Sequence, residues 1–558
     1  MRTFSDKPVA RRGVLRALIP APAPASPSPE PGSRPAARFP AALLPWSWAA
    51  VLFALYATVA VRRHALLRTT GYDLGIFEQA VRAYARLRPP VVPLRGEDFN
   101  LLGDHFHPAL AVLAPLYRLW PSPLCLLTAQ SALLAVAVVP LASWARSALG
   151  RRSAHAVALG YGLSWGIASA AAFDFHEVAL AVPLLSCAAV ALGQRRWRAA
   201  VAWAAPLVLV KEDLGLTLAA LGCVIAWKGP RRLGALTAGA GLLASAVEIR
   251  LLLPAVNPAG GYAHGENLGE SGHASLLTTI AFAPLDALRP DIKAMTLILV
   301  FAPSALLALR SPLALLAVPT LLWRMLSQNG FHWGTSFHYS AVLMPLVFAG
   351  LVDALRPWRS GGHPLGARQV RATLVTVVAV TLVLLPSFPL AQLAQRATWR
   401  TTAHIEAARA LLARIPDGAS VAASNRLVPQ LTSRCEVVLF PAFPVDARLY
   451  SYDRGKLPRP TAEWIIHDSR APEAWPYRTG HWPYPPGQQA AELAAAERSY
   501  GYRLVARRDG VTLLRRDPAG RPGERDGRTV RSAPGPYARG PGPFSHRTPI
   551  KDGVLAKR

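Results

Sequence analysis

The sequence predicts an α-helical polytopic membrane protein of about 11 transmembrane helices that carries a small extracytoplasmic α/β domain. Three observations predict it. Of 558 residues, 52% are hydrophobic and 17% charged, and mean hydropathy is +0.25, which sets the chain apart from soluble domains. The apolar residues are gathered into long runs separated by short loops rich in arginine. After about residue 391 the composition turns from apolar to mixed, with the alternation expected of short strands. The net charge of +29 does not point to nucleic acid, because Lys and Arg punctuate the apolar runs and fill the two ends instead of clustering with stacking aromatics. Cys125, Cys187 and Cys223 lie inside apolar runs and Cys435 stands alone, so neither a disulfide framework nor a zinc-finger spacing can be built.

Residues 1–40, rich in Pro, Ala and Ser with seven basic residues and no apolar core, read as a disordered cytoplasmic arm. The run from Ala41 to Val61 is too long for a signal-peptide core and reads as an uncleaved signal-anchor span. Four basic groups set the orientation: Arg146/Arg151/Arg152, Arg195/Arg196/Arg198, Lys228/Arg231/Arg232 and Arg356/Arg359/Arg368/Arg371. The positive-inside rule makes all four cytoplasmic. Crossings at 42–61, 122–145, 154–172, 178–193, 198–211, 213–227, 233–253, 291–309, 312–326, 339–355 and 370–390 satisfy them, with the N-terminus inside and the C-terminal domain (392–516) outside. One long helix over 199–227 would put two basic groups on opposite sides, so two short passes are expected there, with Lys211, Glu212 and Asp213 at a recessed tip.

Between the spans, residues 62–121 are too polar to cross, and the apolar stretch Ala109–Trp120 within them reads as interfacial helix on the outer leaflet. Two further outer loops, 255–290 and 327–338, carry His264, Glu266, Glu270 and His273, and His332, Trp333 and His338; no role is assigned to the histidines of the first, whose Gly-rich character would suit a gate. Beyond the last span, 403–414 and 488–497 read as helices and 419–423, 436–440, 464–467, 502–506 and 511–514 as strands. The tail 517–558, full of Pro, Gly and Arg, reads as disordered.

The embedded polar clusters are Tyr72-Asp73, Asp104-His105-Phe106-His107, Asp174-Phe175-His176-Glu177 and Lys211-Glu212-Asp213, and this topology puts them all on the outer face. Charges near hydrocarbon cost about 2.5 to 3.5 kcal/mol each on insertion scales, so their convergence implies one polar site. Local explanations compete with that reading. Asp104 could cap the helix containing Pro108, Asp174 with Glu177 could form a capping box, and Lys211 could pair with Glu212 or Asp213 to fix two helices.

The segments GYDLGIFEQAVRAYA (71–85), LLGDHFHPALAVLAPLYRLWPSP (101–123), FDFHEVAL (173–180), VKEDLGL (210–216) and FHYSAVLMPLVFAGLVDAL (337–355) together resemble the bacterial multi-pass membrane family called domain of unknown function 2079, over about residues 40–516. That family is similar to the larger group of C-type-fold glycosyltransferases, which take a sugar from a polyprenyl-phosphate carrier. The resemblance implies a bacterial inner-membrane transferase that passes the sugar to an extracytoplasmic acceptor, with the bilayer and the carrier lipid as partners and no nucleic acid. It makes Asp73 the candidate catalytic base, Tyr72, Lys211, Glu212, Asp213 and His338 candidate substrate-binding residues, and Asp104, His105, His107, His176 and Glu177 candidate ligands of a divalent metal ion. A transporter or flippase, or a non-catalytic scaffold, are the competing classes.

The orientation is open to direct test. In a background without the four native cysteines, Gly261→Cys should be labelled by a membrane-impermeant thiol reagent in intact cells, and Ser360→Cys should be protected. The reverse pattern would turn the whole topology over.

Overall fold

The computed structural model describes residues 43–257, 260–262, 264–265, 288–356, 366–442, 460–470 and 486–517. The arm expected over 1–40, nearly all of the tail expected over 517–558, and Glu266, Glu270 and His273 lie outside the described residues. Residues 45–558 form one unit, which holds the sheet, the polar clusters and, from Pro45 on, the apolar helices.

Among the described residues, four helices are long and apolar enough to cross a membrane: Leu44–Ala65, Pro123–Leu149, Arg231–Val256 and Arg368–Ser387. Shorter apolar helices cover Val178–Gly193, Trp197–Leu209, Leu214–Lys228, Pro312–Leu326 and Leu343–Leu355. Two expected spans are interrupted. The helix Arg151–Leu163 stops at Ser164, whose extended backbone (ψ 144°) separates it from Trp165–Ala171. The helix Asp291–Phe301 runs into a 3-10 turn containing Pro303, after which Ala305 and Leu306 are left-handed.

The stretch 199–227 is two helices, not one. Pro206 removes a backbone donor, the chain tightens into a 3-10 turn over Ala205–Leu209, and regular helix resumes at Leu214. Leu214–Lys228 then packs against Arg231–Val247 through small residues that let the backbones touch. A Cβ on Gly222 would lie 2.3 Å from the Ala238 nitrogen, and one on Gly234 2.2 Å from the Ala226 nitrogen.

The first helix, α1 (Leu44–Ala65), ends in Arg62 and Arg63, cations that suit a helix C-terminus. A ten-residue turn leads to α2 (Ile76–Ala85), and the loop continues through a 3-10 turn at Pro108–Leu113 into α3 (Ala114–Leu119). Leu110, Leu113 and Tyr117 face inward, whereas Val112, Leu116, Leu119 and Trp120 are exposed, an apolar ledge of the kind expected of interfacial helix.

The strands are β1 (Ser420–Ala423), β2 (Glu436–Leu439), β3 (Trp464–Asp468), β4 (Tyr502–Arg508) and β5 (Val511–Arg516). They form one sheet in the order β2-β1-β3-β5-β4, with β1 parallel to β2 and β3, and β5 antiparallel to β3 and β4. Strand alternation divides the side chains between two faces. Ala422, Ile465 and Leu514 pack with Leu493 and Ala496 of the helix Pro486–Ser499. Val421, Val437 and Leu513 pack with Ile405 and Leu411 of the helix Ala403–Leu412, and also with Leu74, Phe77 and Val81 around α2. The sheet and the first loop thus share one core.

Candidate functional site

The turn that carries Asp73 is held from two sides. Gly71 N donates to Asn425 O (2.7 Å) and Tyr72 N to Asn425 Oδ1 (3.2 Å), from the segment that leaves β1. Gly71 is required by close approach, since a Cβ there would sit 2.9 Å from the Val428 side chain. On the other side Thr70 N donates to Asp174 Oδ2 (2.9 Å), and the Thr70 hydroxyl lies between Asp174 Oδ2 (2.5 Å) and the Tyr72 carbonyl. Asp73 is therefore presented half-buried on a fixed backbone. Tyr72 itself is buried, with its hydroxyl donating to Leu94 O (3.3 Å) and Arg95 over its ring, so it serves the turn and does not point into open space.

Two acid-histidine groups meet beside this turn. Asp73, His176 and His338 offer ligand atoms that all lie within 4.8 Å of one another, and so do Asp104, His105 and His264. His338 is 3% exposed, its ring stacks on that of His176 with centroids 3.3 Å apart, and neither of its ring nitrogens has a hydrogen-bond partner among the described residues. Its position comes from Arg324, a fully buried guanidinium that donates to His332 O (2.9 Å), Gly334 O (2.9 Å) and Ser340 Oγ (3.0 Å).

The tip residues divide among different partners instead of pairing with each other. Lys211 Nζ lies 3.0 Å from Glu177 Oε1, and Glu177 also pairs with His176. Glu212 takes His105 Nδ1 (2.6 Å) and Phe106 N (3.1 Å), while Asp213 accepts from Trp323 Nε1 (2.9 Å). His107 is set apart from both groups as a packing residue, edge-on to Phe77 with centroids 5.9 Å apart. The five expected metal ligands are thus not one set. Asp104 and His105 fall in one group, His176 in the other, and Glu177 is engaged as the counter-charge of Lys211.

The local capping explanations also fall away. Neither His107 before Pro108 nor Glu177 before Val178 caps its helix by a side chain. Asp104 instead accepts from Arg95 (2.9 Å) and from His264 Nε2 (3.2 Å), and Asp174 is spent on Thr70.

Charge follows from these surroundings. Burial, reinforced by the neighbouring Glu177, pushes the Asp73 carboxyl up to about 7. Burial opposes ionisation of Asp104 too, but Arg95 and His264 outweigh it and hold that carboxyl well below the usual carboxylate range. Two nearby carboxylates are thereby set to different protonation behaviour near neutral pH. Glu78 is a third buried acid, taken up by the hydroxyls of Tyr117 (2.8 Å) and Thr432 and pushed up to about 7 by burial; it ties α2 to α3 and to the sheet.

Sequence reasoning left His264 without a role and did not single out Asn425, Arg324 or Glu78. Arg324, a charge inside the expected span 312–326, carries a local signal; the other three carry none. Their partners lie 160 positions away for His264, 353 for Asn425 and 354 for Glu78.

Apolar helices of spanning length around a half-buried acid-histidine site define a polytopic membrane protein with a polar centre at the end of its first span. The chain belongs to the family described as predicted membrane protein DUF2079, whose model matches residues 63–513. No curated protein matches it. Among solved structures it is similar to ArnT from Cupriavidus metallidurans bound to undecaprenyl phosphate, with 14% identity and a TM-score of 0.47 over 84% of this chain and 98% of that one.

Proposed function

We propose that the protein is an integral membrane glycosyltransferase of about 11 spans, moving a sugar from a polyprenyl-phosphate carrier to an acceptor on the extracytoplasmic side, with its α/β part on that side as well. The observation that carries this reading is the Asp73 carboxyl, held half-buried on a turn at the end of α1, close to neutral in its pKa and within 4.8 Å of His176 and His338. A base poised near the working pH is what a hydroxyl acceptor requires. In the step, the acceptor oxygen bonds to the anomeric carbon, the bond from that carbon to the phosphate oxygen breaks, the electron pair leaves with the phosphate, and the acceptor proton passes to Asp73. The exposed ledge of Val112, Leu116, Leu119 and Trp120 gives the same loop a surface for the acyl boundary where the carrier lies.

The orphaned ring nitrogens of His338 fit a divalent ion shared with His176 and one oxygen of Asp73. When bound, the ion would offset charge on the departing phosphate. A transport pathway suits the site less well, because Lys211, Glu177, Glu212, Asp104 and Arg95 are engaged with each other or with His105 and are not strung along a route.

The test is to give purified protein radiolabelled polyprenyl-phosphate sugars and an extract of cell envelope, and to follow label into extracted acceptor. Transfer with at least one donor is expected. No transfer by the unmodified protein across a broad donor panel would remove the reading.

A further inference from the structure

We propose that Asp104, His105 and His264, backed by Glu212, form a zinc-type metal site that clips the first outer loop to the chain segment following Asn257. This goes beyond the transferase reading and does not depend on it. The group is separate from the one around Asp73 and draws on two stretches of chain brought together at close range. A Cβ on Gly103 would lie 2.8 Å from the Asn257 backbone, so the residue before Asp104 packs directly on Asn257, and His264 Nε2 lies 3.2 Å from Asp104 Oδ1.

The three residues form a candidate ligand set, each offering a ligand atom within 4.8 Å of the others. The imidazoles of His105 and His264 stack with centroids 4.1 Å apart and planes at 1°, so one ring must turn before both nitrogens can point at one ion. The 3.2 Å between His264 Nε2 and Asp104 Oδ1 compares with about 3.4 Å between two ligand atoms on one tetrahedral ion, each at about 2.1 Å.

The surroundings are those a metal ligand needs. Glu212 takes Nδ1 of His105 at 2.6 Å, which leaves Nε2 for an ion; a carboxylate behind a ligating histidine fixes its tautomer and raises its basicity. Glu212 is itself oriented by Phe106 N from the first loop and by the Tyr262 hydroxyl (3.1 Å) from the second. Arg95, 2.9 Å from Asp104 Oδ1, favours the ionised carboxylate that coordination requires. Two imidazoles with carboxylates select a borderline ion such as Zn2+ over Mg2+ or Ca2+, which prefer all-oxygen sites.

The experiment counts metal and leaves transfer aside. Full-length protein in detergent is stripped with a chelator, given Zn2+ alone, desalted, and assayed for zinc per chain by mass spectrometry. His264→Ala should bind one Zn2+ fewer than the unmodified chain, His264→Cys, which restores a zinc ligand, should keep the count, and His264→Ala/His338→Ala should bind one Zn2+ fewer than His338→Ala alone. An unchanged count in His264→Ala, or equal loss in the Ala and Cys variants, would overturn the site. Because the readout is bound zinc, a protein that transfers no sugar can still pass this test, and an active transferase can still fail it.

Discussion

Replacing the Asp73 carboxylate by an amide, Asp73→Asn, should lower sugar transfer by at least about 100-fold, the lower end expected for loss of a general base, while insertion, folding and carrier-lipid binding stay intact. The amide keeps the shape, and the turn around residue 73 is held by backbone and side-chain bonds of Gly71, Tyr72 and Thr70, none of which uses the Asp73 carboxyl. What is lost is the acceptor for a proton that must lie within about 3 Å in the productive complex. The pH profile supplies a second readout. With its pKa raised to about 7, Asp73 is protonated in acid and becomes a base as pH rises, so transfer by the unmodified protein should climb through about 7 and level off above it. The Asn variant should lack that rise. Full transfer by Asp73→Asn would take Asp73 out of the mechanism.

The second large effect is expected on stability. Lys211→Met should destabilise the protein by about 3 to 5 kcal/mol, because it leaves Glu177 buried without its main cationic partner. The Glu177 side chain is 0% exposed and that of Lys211 9%, and they meet at 3.0 Å, so water cannot replace the lost contact. Removing both charges should recover most of the loss, since a buried pair exchanged for apolar residues of similar volume is often near neutral. The Lys211→Met/Glu177→Leu double variant should therefore melt closer to the unmodified protein than Lys211→Met alone does. Thermal unfolding in detergent, with and without carrier lipid, reads both. If Lys211→Met melts like the unmodified protein and only its response to carrier lipid falls, the lysine serves a lipid phosphate and not Glu177.

The sequence was most legible where the physics is periodic or compositional. Long apolar runs and the five strands follow from local rules, the break within 199–227 followed from keeping its flanking basic groups on one side, and the helices Ala403–Leu412 and Pro486–Ser499 lie within two residues or so of where their spacing put them. The polar clusters were visible too, because charge inside an apolar chain is costly. Their partners were not. Asp104 and Asp174 each precede a helix, which makes capping the sensible local reading, yet both are claimed by groups far away in the chain. His338 looked like one of several loop histidines. Its isolation from hydrogen-bond partners depends on the ring of His176 and on the loop folded over Arg324, neither of which is written in its neighbours. The strands of the sheet were legible, and their common core with α2 was not, since Leu74, Phe77 and Val81 read equally well as facing lipid.

The grip of Asn425 on the turn before Asp73 also has a temporal meaning. The two are 353 residues apart, so at a ribosomal rate of about 5 to 20 residues per second, roughly 20 to 70 seconds pass between their syntheses. During that interval the first loop has been made, but the surface that shapes it has not. Its acid and histidines must wait, unfinished, for a partner that is translated after the spans between them. The centre is thus completed by the late arrival of the sheet, and a chain cut short before Asn425 would insert its first helices and still leave Asp73 on an unformed turn.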